Sequence, residues 1–109
     1  MRRGEVRWYE FAPPDKKRPV VVLTRNSVID YLTEVTVAQV TSRIRDIPSE
    51  VLLGTVDGVP RECAVNCDHL MTVYKDRLGP MITTLSSCKM SEISEAIHFA
   101  LDLSPAMGT

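Results

Sequence analysis

The sequence lacks any apolar run long enough to cross a membrane. Its uninterrupted hydrophobic stretches are far shorter than the ~18 residues that a membrane-spanning helix needs. The opening segment, Met1–Glu5, is charged and does not contain the apolar core of a signal peptide. From these two absences we expect a cytoplasmic protein with no membrane contact.

Cysteine is scarce, and its number is odd. Cys63, Cys67 and Cys88 cannot form a complete disulfide framework. Three residues separate Cys63 from Cys67, and no second pair at ligand spacing follows, so neither histidine completes a metal site. A strand through this region would place Cys63, Val65 and Cys67 on one face as small core residues. We therefore expect no metal and no cofactor.

Charge is nearly balanced overall but uneven along the chain. The 109 residues, which we expect to form one domain over 1–109, carry a net charge of −1. Residues 1–45 hold nine Lys and Arg against five Asp and Glu, a net of +4, whereas residues 46–109 hold four against nine, a net of −5. The first part of the chain could thus present a basic surface to a polyanion.

Short strands separated by turn signals dominate the pattern, and one amphipathic helix follows them. Alternation and β-branched residues predict strands at Glu5–Phe11, Lys17–Thr24, Glu34–Thr41, Glu50–Leu53, Glu62–Cys67, Leu70–Tyr74 and Met81–Leu85. The predicted turns include a type I′ hairpin at Asp57-Gly58 and turns at Asp68-His69 and Arg77–Pro80. This arrangement is typical of a mainly β protein, a small partly open β-barrel closed by a C-terminal helix.

The helix is expected to begin at a Ser86 or Ser87 cap and to run to about Leu103, before a tail at 104–109. Its predicted apolar stripe contains Met90, Ile93, Ala96, Ile97, Ala100, Leu101 and Leu103. Phe99 lies at the edge of the stripe, a position typical of a dimer or partner contact.

Two polar features stand at the ends of predicted strands. Arg18 immediately precedes the buried-strand run that begins at Pro19, which is a suitable position for chemistry on an anion, although a solvated turn explains the same pattern. The period of two places Gln39, Thr41 and Arg43 on one side of another strand, as a site or as ordinary surface.

Taken in order, the motifs resemble those of the MazF/PemK family of toxin endoribonucleases. The matching segments are Arg3-Gly4-Glu5-Val6-Arg7-Trp8, Lys17–Leu23, Val37–Ser42 and Cys63–Val73, with Arg77-Leu78, Ile82 and the helix end Ala100–Leu103. The resemblance covers almost the whole chain. It implies an SH3-like barrel that forms a homodimer, cleaves single-stranded RNA without metal and pairs with a cognate antitoxin.

By position, the resemblance implies that Arg18 and Thr41 are catalytic and that Arg25, Arg43 and His69 contact RNA. Two departures from the family pattern stand out. The loop before Arg18 is shorter than in many members, which affects how that loop would cover RNA. His69 replaces a more usual Gln or Asn, which affects the recognised base sequence.

Elementary chemistry agrees with the catalytic pair. Attack by a ribose 2′-hydroxyl builds negative charge on a phosphorane and leaves a 2′,3′-cyclic phosphate. A guanidinium can meet two phosphate oxygens while a threonine hydroxyl donates to a third. Arg18 suits charge stabilisation and proton donation to the 5′-oxygen better than proton removal. The general base stays open, and His69 is a candidate for proton transfer or for base contact.

Two alternatives come from other functional classes. A CcdB-like gyrase poison shares the barrel but binds a protein and catalyses nothing. A barrel that binds RNA or a protein without cleaving is the other. The Arg18 and Thr41 matches favour the nuclease branch.

Overall fold

The computed structural model describes residues 1–14 and 16–103. Six strands and two helices follow in the order β1 Glu5–Glu10, β2 Lys17–Val22, α1 Asn26–Ile29, β3 Glu34–Thr41, β4 Glu50–Leu53, β5 Cys63–Tyr74, β6 Leu78–Thr84 and α2 Ser87–Leu101. The strands form one sheet in the order β4-β5-β3-β2-β1-β6, and every pairing is antiparallel. The sheet is not closed, so the predicted mainly β, partly open architecture is confirmed.

Strand β2 lies near the middle of this sheet because its apolar run must be covered on both faces. Val20, Val21 and Val22 are completely buried, whereas Lys17 and Arg18 at the start of the strand are exposed. Since side chains alternate along a strand, Val21 packs into one core and its two neighbours into the other. The charged residues stay at the rim, where water still reaches them.

Two hydrophobic cores flank the sheet. The larger core lies under α2 and includes Val21, Val65, Cys67, Ile93 and Ala96. The smaller core lies beside α1 and includes Val20, Val22, Ile29, Val37 and Val73. Cys63, Val65 and Cys67 share the first core, as the alternation predicted.

Helix α2 begins where the sequence indicated but ends earlier. The Ser86 hydroxyl accepts a hydrogen bond from the Lys89 backbone N–H at 3.2 Å, which caps the first turn. Asp102 adopts a left-handed conformation with φ 52° and stops the helix after Leu101.

The predicted apolar stripe is only partly correct. Its middle is buried or packed against the core, but Leu101, the last residue of α2, and Leu103 beyond it are half exposed. Phe99 is 61% exposed, so its predicted role as a contact residue stays a prediction. The tail at 104–109 lies outside the described residues.

The predicted pair of short strands around Asp68-His69 is wrong, because both belong to the single strand β5. Asn66 pairs with Gln39 and Leu70 with Ala38, so three residues of β5 lie between partners that are consecutive on β3. The sequence signal for a turn therefore corresponds to a bulge, which bends the strand without ending it.

Two other turn predictions are also wrong. Gly58 ends a 3₁₀ turn over Thr55–Asp57 instead of forming a two-residue hairpin, because the Asp57 carboxylate accepts from Gly54 N–H at 2.8 Å. Gly58 is required there by its φ of 94° and by Thr83, whose Oγ1 would lie 2.3 Å from an added Cβ. The other turn falls earlier than predicted, at Lys75–Arg77, and β6 begins at Leu78.

Replacement of Ile93 by alanine should destabilise the protein by about 2–5 kcal/mol, because Ile93 is completely buried between α2 and the sheet. Glu95→Ala, an exposed change on the same helix, should shift stability by no more than about 0.5 kcal/mol. Urea unfolding measures both. Equal destabilisation by the two variants would contradict the described packing of α2.

Candidate active site

The antiparallel pairing of β2 with β3 directs Arg18 and Thr41 to the same end of the sheet. The recorded pairs are Val20 with Gln39, Val21 with Ala38 and Val22 with Val37. If this antiparallel register continued two residues beyond the recorded pairs, Arg18 would lie opposite Thr41, with both side chains on the same side of the sheet. On its other flank Arg18 is paired with Tyr9 of β1. Both predicted catalytic residues therefore lie at one end of the sheet.

This end of the sheet opens into a cleft of about 950 Å³. Arg18, Thr41, Arg43 and His69 all line it, so four of the five predicted site residues come together. The cationic side chains along the cleft are Lys16, Lys17, Arg18, Arg43, Arg45 and Arg61. None of the described residues that line the cleft is an aspartate or glutamate. A cleft with this charge suits a polyanion.

The Thr41 hydroxyl holds the start of the loop that follows β3. Its Oγ1 accepts a hydrogen bond from the Arg43 backbone N–H at 3.1 Å. A hydroxyl that accepts through its oxygen keeps its own hydrogen for donation. Thr41 can thus fix the path of the loop and still donate to a phosphate oxygen.

The bulge in β5 carries His69 to the cleft and is tied to the segment before β4. Ser49 Oγ donates to the Asp68 carboxylate at 2.6 Å, and the Cys67 backbone N–H donates to the Ser49 carbonyl at 2.9 Å. Ser49 itself is buried. These bonds connect the loop that carries Arg43 to the strand that carries His69.

Arg25 is not brought into the cleft. It follows the end of β2 and precedes α1, whereas the cleft lies at the beginning of β2. Its predicted contact with RNA would have to lie on another part of the surface, and it stays a prediction.

Sequence reasoning missed several residues that line the cleft: Arg45, Arg61 and Asn66. Arg61 lies in residues 46–109, whose net charge is −5. The sum of charges over this part of the chain therefore gave no indication of a basic residue at the cleft. Asn66 pairs with Gln39 across β3 and β5. If β5 had been predicted as one strand, the period of two that placed Gln39 with Thr41 would also have indicated Asn66 on the neighbouring strand.

The two buried thiols are unsuited to nucleophilic chemistry. Burial raises the pKa of the Cys63 thiol, while the Arg61 charge opposes this effect and the Asp57 charge adds to it. Burial, with the Asp68 charge, raises the pKa of Cys67 to about 11. Since the thiolate is the reactive form, both side chains stay protonated and inert near neutral pH.

The described part of the chain contains no group of three or more His, Cys, Asp and Glu side chains placed to hold a metal ion. Independence of metal remains a prediction.

Among the helices of residues 1–14 and 16–103, none is long and apolar enough to span a membrane.

An open antiparallel sheet with a C-terminal helix and a basic cleft is the architecture of a small mainly β protein suited to a polyanion, and comparison with known proteins identifies the family. Residues 2–101 match the model for the PemK-like, MazF-like toxin of type II toxin–antitoxin systems. The chain belongs to this family. The resemblance found in the motifs is thereby confirmed, as is the expectation of a toxin endoribonuclease at the level of the family.

The most similar relatives include mycobacterial proteins. Endoribonuclease MazF3 of Mycobacterium tuberculosis is 39% identical over 89 residues, which cover 82% of this chain and 86% of the relative. Probable endoribonuclease MazF5 of the same species is 40% identical over 103 residues, which cover 94% of each chain.

Solved structures show the same fold. Mycobacterium tuberculosis toxin MazF-mt6 superposes with a TM-score of 0.84 at 35% identity, over 93% of this chain and 99% of that one. A mycobacterial endoribonuclease in complex with its cognate antitoxin gives a TM-score of 0.85 at 26% identity, over 96% and 98%.

In the folded protein a thiol reagent at pH 8 should label Cys88 quickly and the other two cysteines slowly. Cys88 is exposed, whereas Cys63 and Cys67 are buried and have raised pKa values. Mass mapping of labelled peptides before and after unfolding in guanidinium gives the measurement. Rapid labelling of Cys67 in the native state would contradict the described burial.

Proposed function

We propose that this toxin cuts single-stranded RNA at the Arg18–Thr41 end of the basic cleft, by attack of a ribose 2′-hydroxyl on the adjacent phosphorus. The observation that supports the proposal is that Arg18 of β2 and Thr41 of the neighbouring strand β3 line the same basic cleft. The names of the relatives as endoribonucleases support the substrate class.

Each side chain has a defined part in the step. The 2′-oxygen forms a bond to phosphorus as the bond to the 5′-oxygen breaks, and one proton moves from the 2′-oxygen to the 5′-oxygen overall. The products are a 2′,3′-cyclic phosphate and a 5′-hydroxyl. Arg18 stabilises the charge that develops on the phosphate oxygens, and Thr41 donates to another of them. Donors placed beforehand around developing charge are a major source of rate acceleration.

The other predicted site residues bind the rest of the strand. Arg43 lies two residues beyond Thr41 and would neutralise a neighbouring phosphate, and exposed His69 lies where a base would leave the strand. Arg25 would reach RNA only outside the cleft. Replacement of each by alanine, with RNA affinity measured against salt concentration, separates phosphate contacts from base contacts, because only the former reduce the salt dependence.

Two protein partners accompany this activity. A cognate antitoxin is proposed because a structural relative is found in complex with one, and an acidic segment of that partner would compete with RNA for the basic cleft. Gel filtration of the co-expressed pair tests this.

A homodimer is proposed from the exposed Phe99 and Leu101 on α2. A monomer mass by light scattering at micromolar concentration would contradict it. Since its substrate is cellular RNA, we place the toxin in the cytoplasm.

A 2′-deoxy nucleotide immediately 5′ of the scissile bond should abolish cleavage, because it removes the attacking oxygen. Cleavage of the matched all-ribose strand should persist in excess EDTA, since the nucleophile comes from the RNA and not from a metal-bound water. The control strand carries its single 2′-deoxy nucleotide several positions away and should be cut normally. Product ends are identified by mass spectrometry. Normal cutting of the deoxy strand, or EDTA inhibition reversed by added metal, would overturn this mechanism.

A further inference from the structure

A buried asparagine lines the same cleft as the proposed catalytic residues. Asn66 is only 4% exposed, yet it lines the cleft. It pairs with Gln39 across β3 and β5, and Thr41 lies two residues beyond Gln39 on β3. Asn66 and Thr41 are thus diagonal neighbours on adjacent strands, about 7–8 Å apart between Cα atoms. A buried polar side chain at this position is costly unless its hydrogen-bonding groups are used.

The orientation of this side chain is fixed by the bulge. Asn66 Oδ1 accepts a hydrogen bond from the Asp68 backbone N–H at 3.0 Å. Asp68 is held in turn by the 2.6 Å bond from Ser49 Oγ. Because the amide oxygen is turned toward the bulge, the Nδ2 group is the end left to face the cleft. Within residues 1–14 and 16–103, no hydrogen bond from Asn66 Nδ2 to a protein acceptor is found.

An amide that presents only its N–H₂ group has a defined preference among bases. Asparagine usually binds adenine with both ends, donating to N7 and accepting from the N6 amino group. Here the oxygen is already engaged, so the side chain offers donors alone. Uracil at C4 and guanine at C6 carry a keto oxygen that accepts from such a donor, whereas cytosine at C4 and adenine at C6 carry an amino group there. Unpaired RNA bases are commonly read on these edges.

We propose that Asn66 is a specificity-determining residue, which reads one base next to the cut by donating from Nδ2 to a keto oxygen of uracil or guanine. The proposal rests on RNA as the substrate of the cleft. Gln39 forms the other half of the cleft floor, but its Nε2 lies 3.3 Å from Met71 Sδ, a weak acceptor that leaves this amide less firmly oriented.

The test uses a chemically matched pair of variants. Asn66→Asp keeps the acceptor for Asp68 N–H and the shape of the side chain but replaces the donor by an acceptor. Asn26→Asp makes the same change outside the cleft, at an asparagine whose Oδ1 also accepts from a backbone N–H, that of Arg3, at 2.7 Å. Each protein cuts a pool of random-sequence RNA, and the cut ends are sequenced.

The wild-type protein and Asn26→Asp should favour uracil or guanine at one position beside the cut. Asn66→Asp should move that position toward cytosine or adenine, with a change of about tenfold in the keto-to-amino ratio, the size expected for one hydrogen bond. If Asn66→Asp lowered the cleavage rate equally at all sites and left the base frequencies unchanged, the effect would come only from the added negative charge. That result would overturn the proposal. If Asn66→Asp fails to fold by circular dichroism, Asn66→Ala, whose side chain has no hydrogen-bond donor, should remove the preference.

Binding measurements separate this inference from the proposed function. Short uncleavable 2′-deoxy oligonucleotides that differ only in the base at that position are titrated by fluorescence anisotropy. Absence of cleavage by the wild-type protein would refute the proposed function, while the oligonucleotides still report the base preference. Equal affinity for keto and amino bases would overturn the role of Asn66.

Discussion

Burial of the central strand β2 is the constraint on which the site depends. Val20, Val21 and Val22 have no exposed surface, and the two neighbouring strands hold them in a fixed register. A slip of one residue would turn each side chain to the opposite face, so the two cores tolerate one register only. The same register directs Arg18 and Thr41 to one end of the sheet, where both line the cleft. The apolar run therefore positions the charged residue that precedes it.

The bulge in β5 is the second device that shapes the cleft. A regular strand would continue the pairing of Asn66 with Gln39 without interruption, whereas the bulge inserts three residues and bends the strand. The buried Ser49 fixes this bulge through two hydrogen bonds, one from its hydroxyl and one to its carbonyl. The loop that carries Arg43 and the bulge that carries His69 are consequently connected by one set of bonds. Bulges of this kind are common next to functional sites.

Much of this architecture could be predicted because it follows from local pattern. The β-branched run identified β2, the period of two identified Thr41 and its neighbours on β3, and Ser86 identified the start of α2. These features depend on residues close together in the sequence. The resemblance to the toxin family supplied the pairing of Arg18 with Thr41, which local pattern alone left open.

The errors arose where long-range contacts override local preference. Asp68-His69 has the composition of a turn, but pairing with β3 on both sides keeps the chain extended. Asp57-Gly58 has the composition of a hairpin, but Thr83 of β6 lies against Gly58 and its hydroxyl donates to the Asp57 carbonyl at 3.1 Å, at the end of a 3₁₀ turn. Arg61 lies just before β5 and yet lines the cleft together with residues of β2 and β3, which are distant in the sequence. None of these contacts can be read from neighbouring residues.

The central claim is that Arg18 and Thr41 act together on one phosphate, and a double-mutant cycle tests it most directly. Single-turnover cleavage is measured for the wild-type protein, Arg18→Ala, Thr41→Val and the double variant. Loss of the Arg18 contact should slow cleavage by about 10²–10³-fold. If the pair works as a unit, the double variant should be little slower than Arg18→Ala alone. Effects that simply multiply would show that the two side chains act independently and would contradict the account.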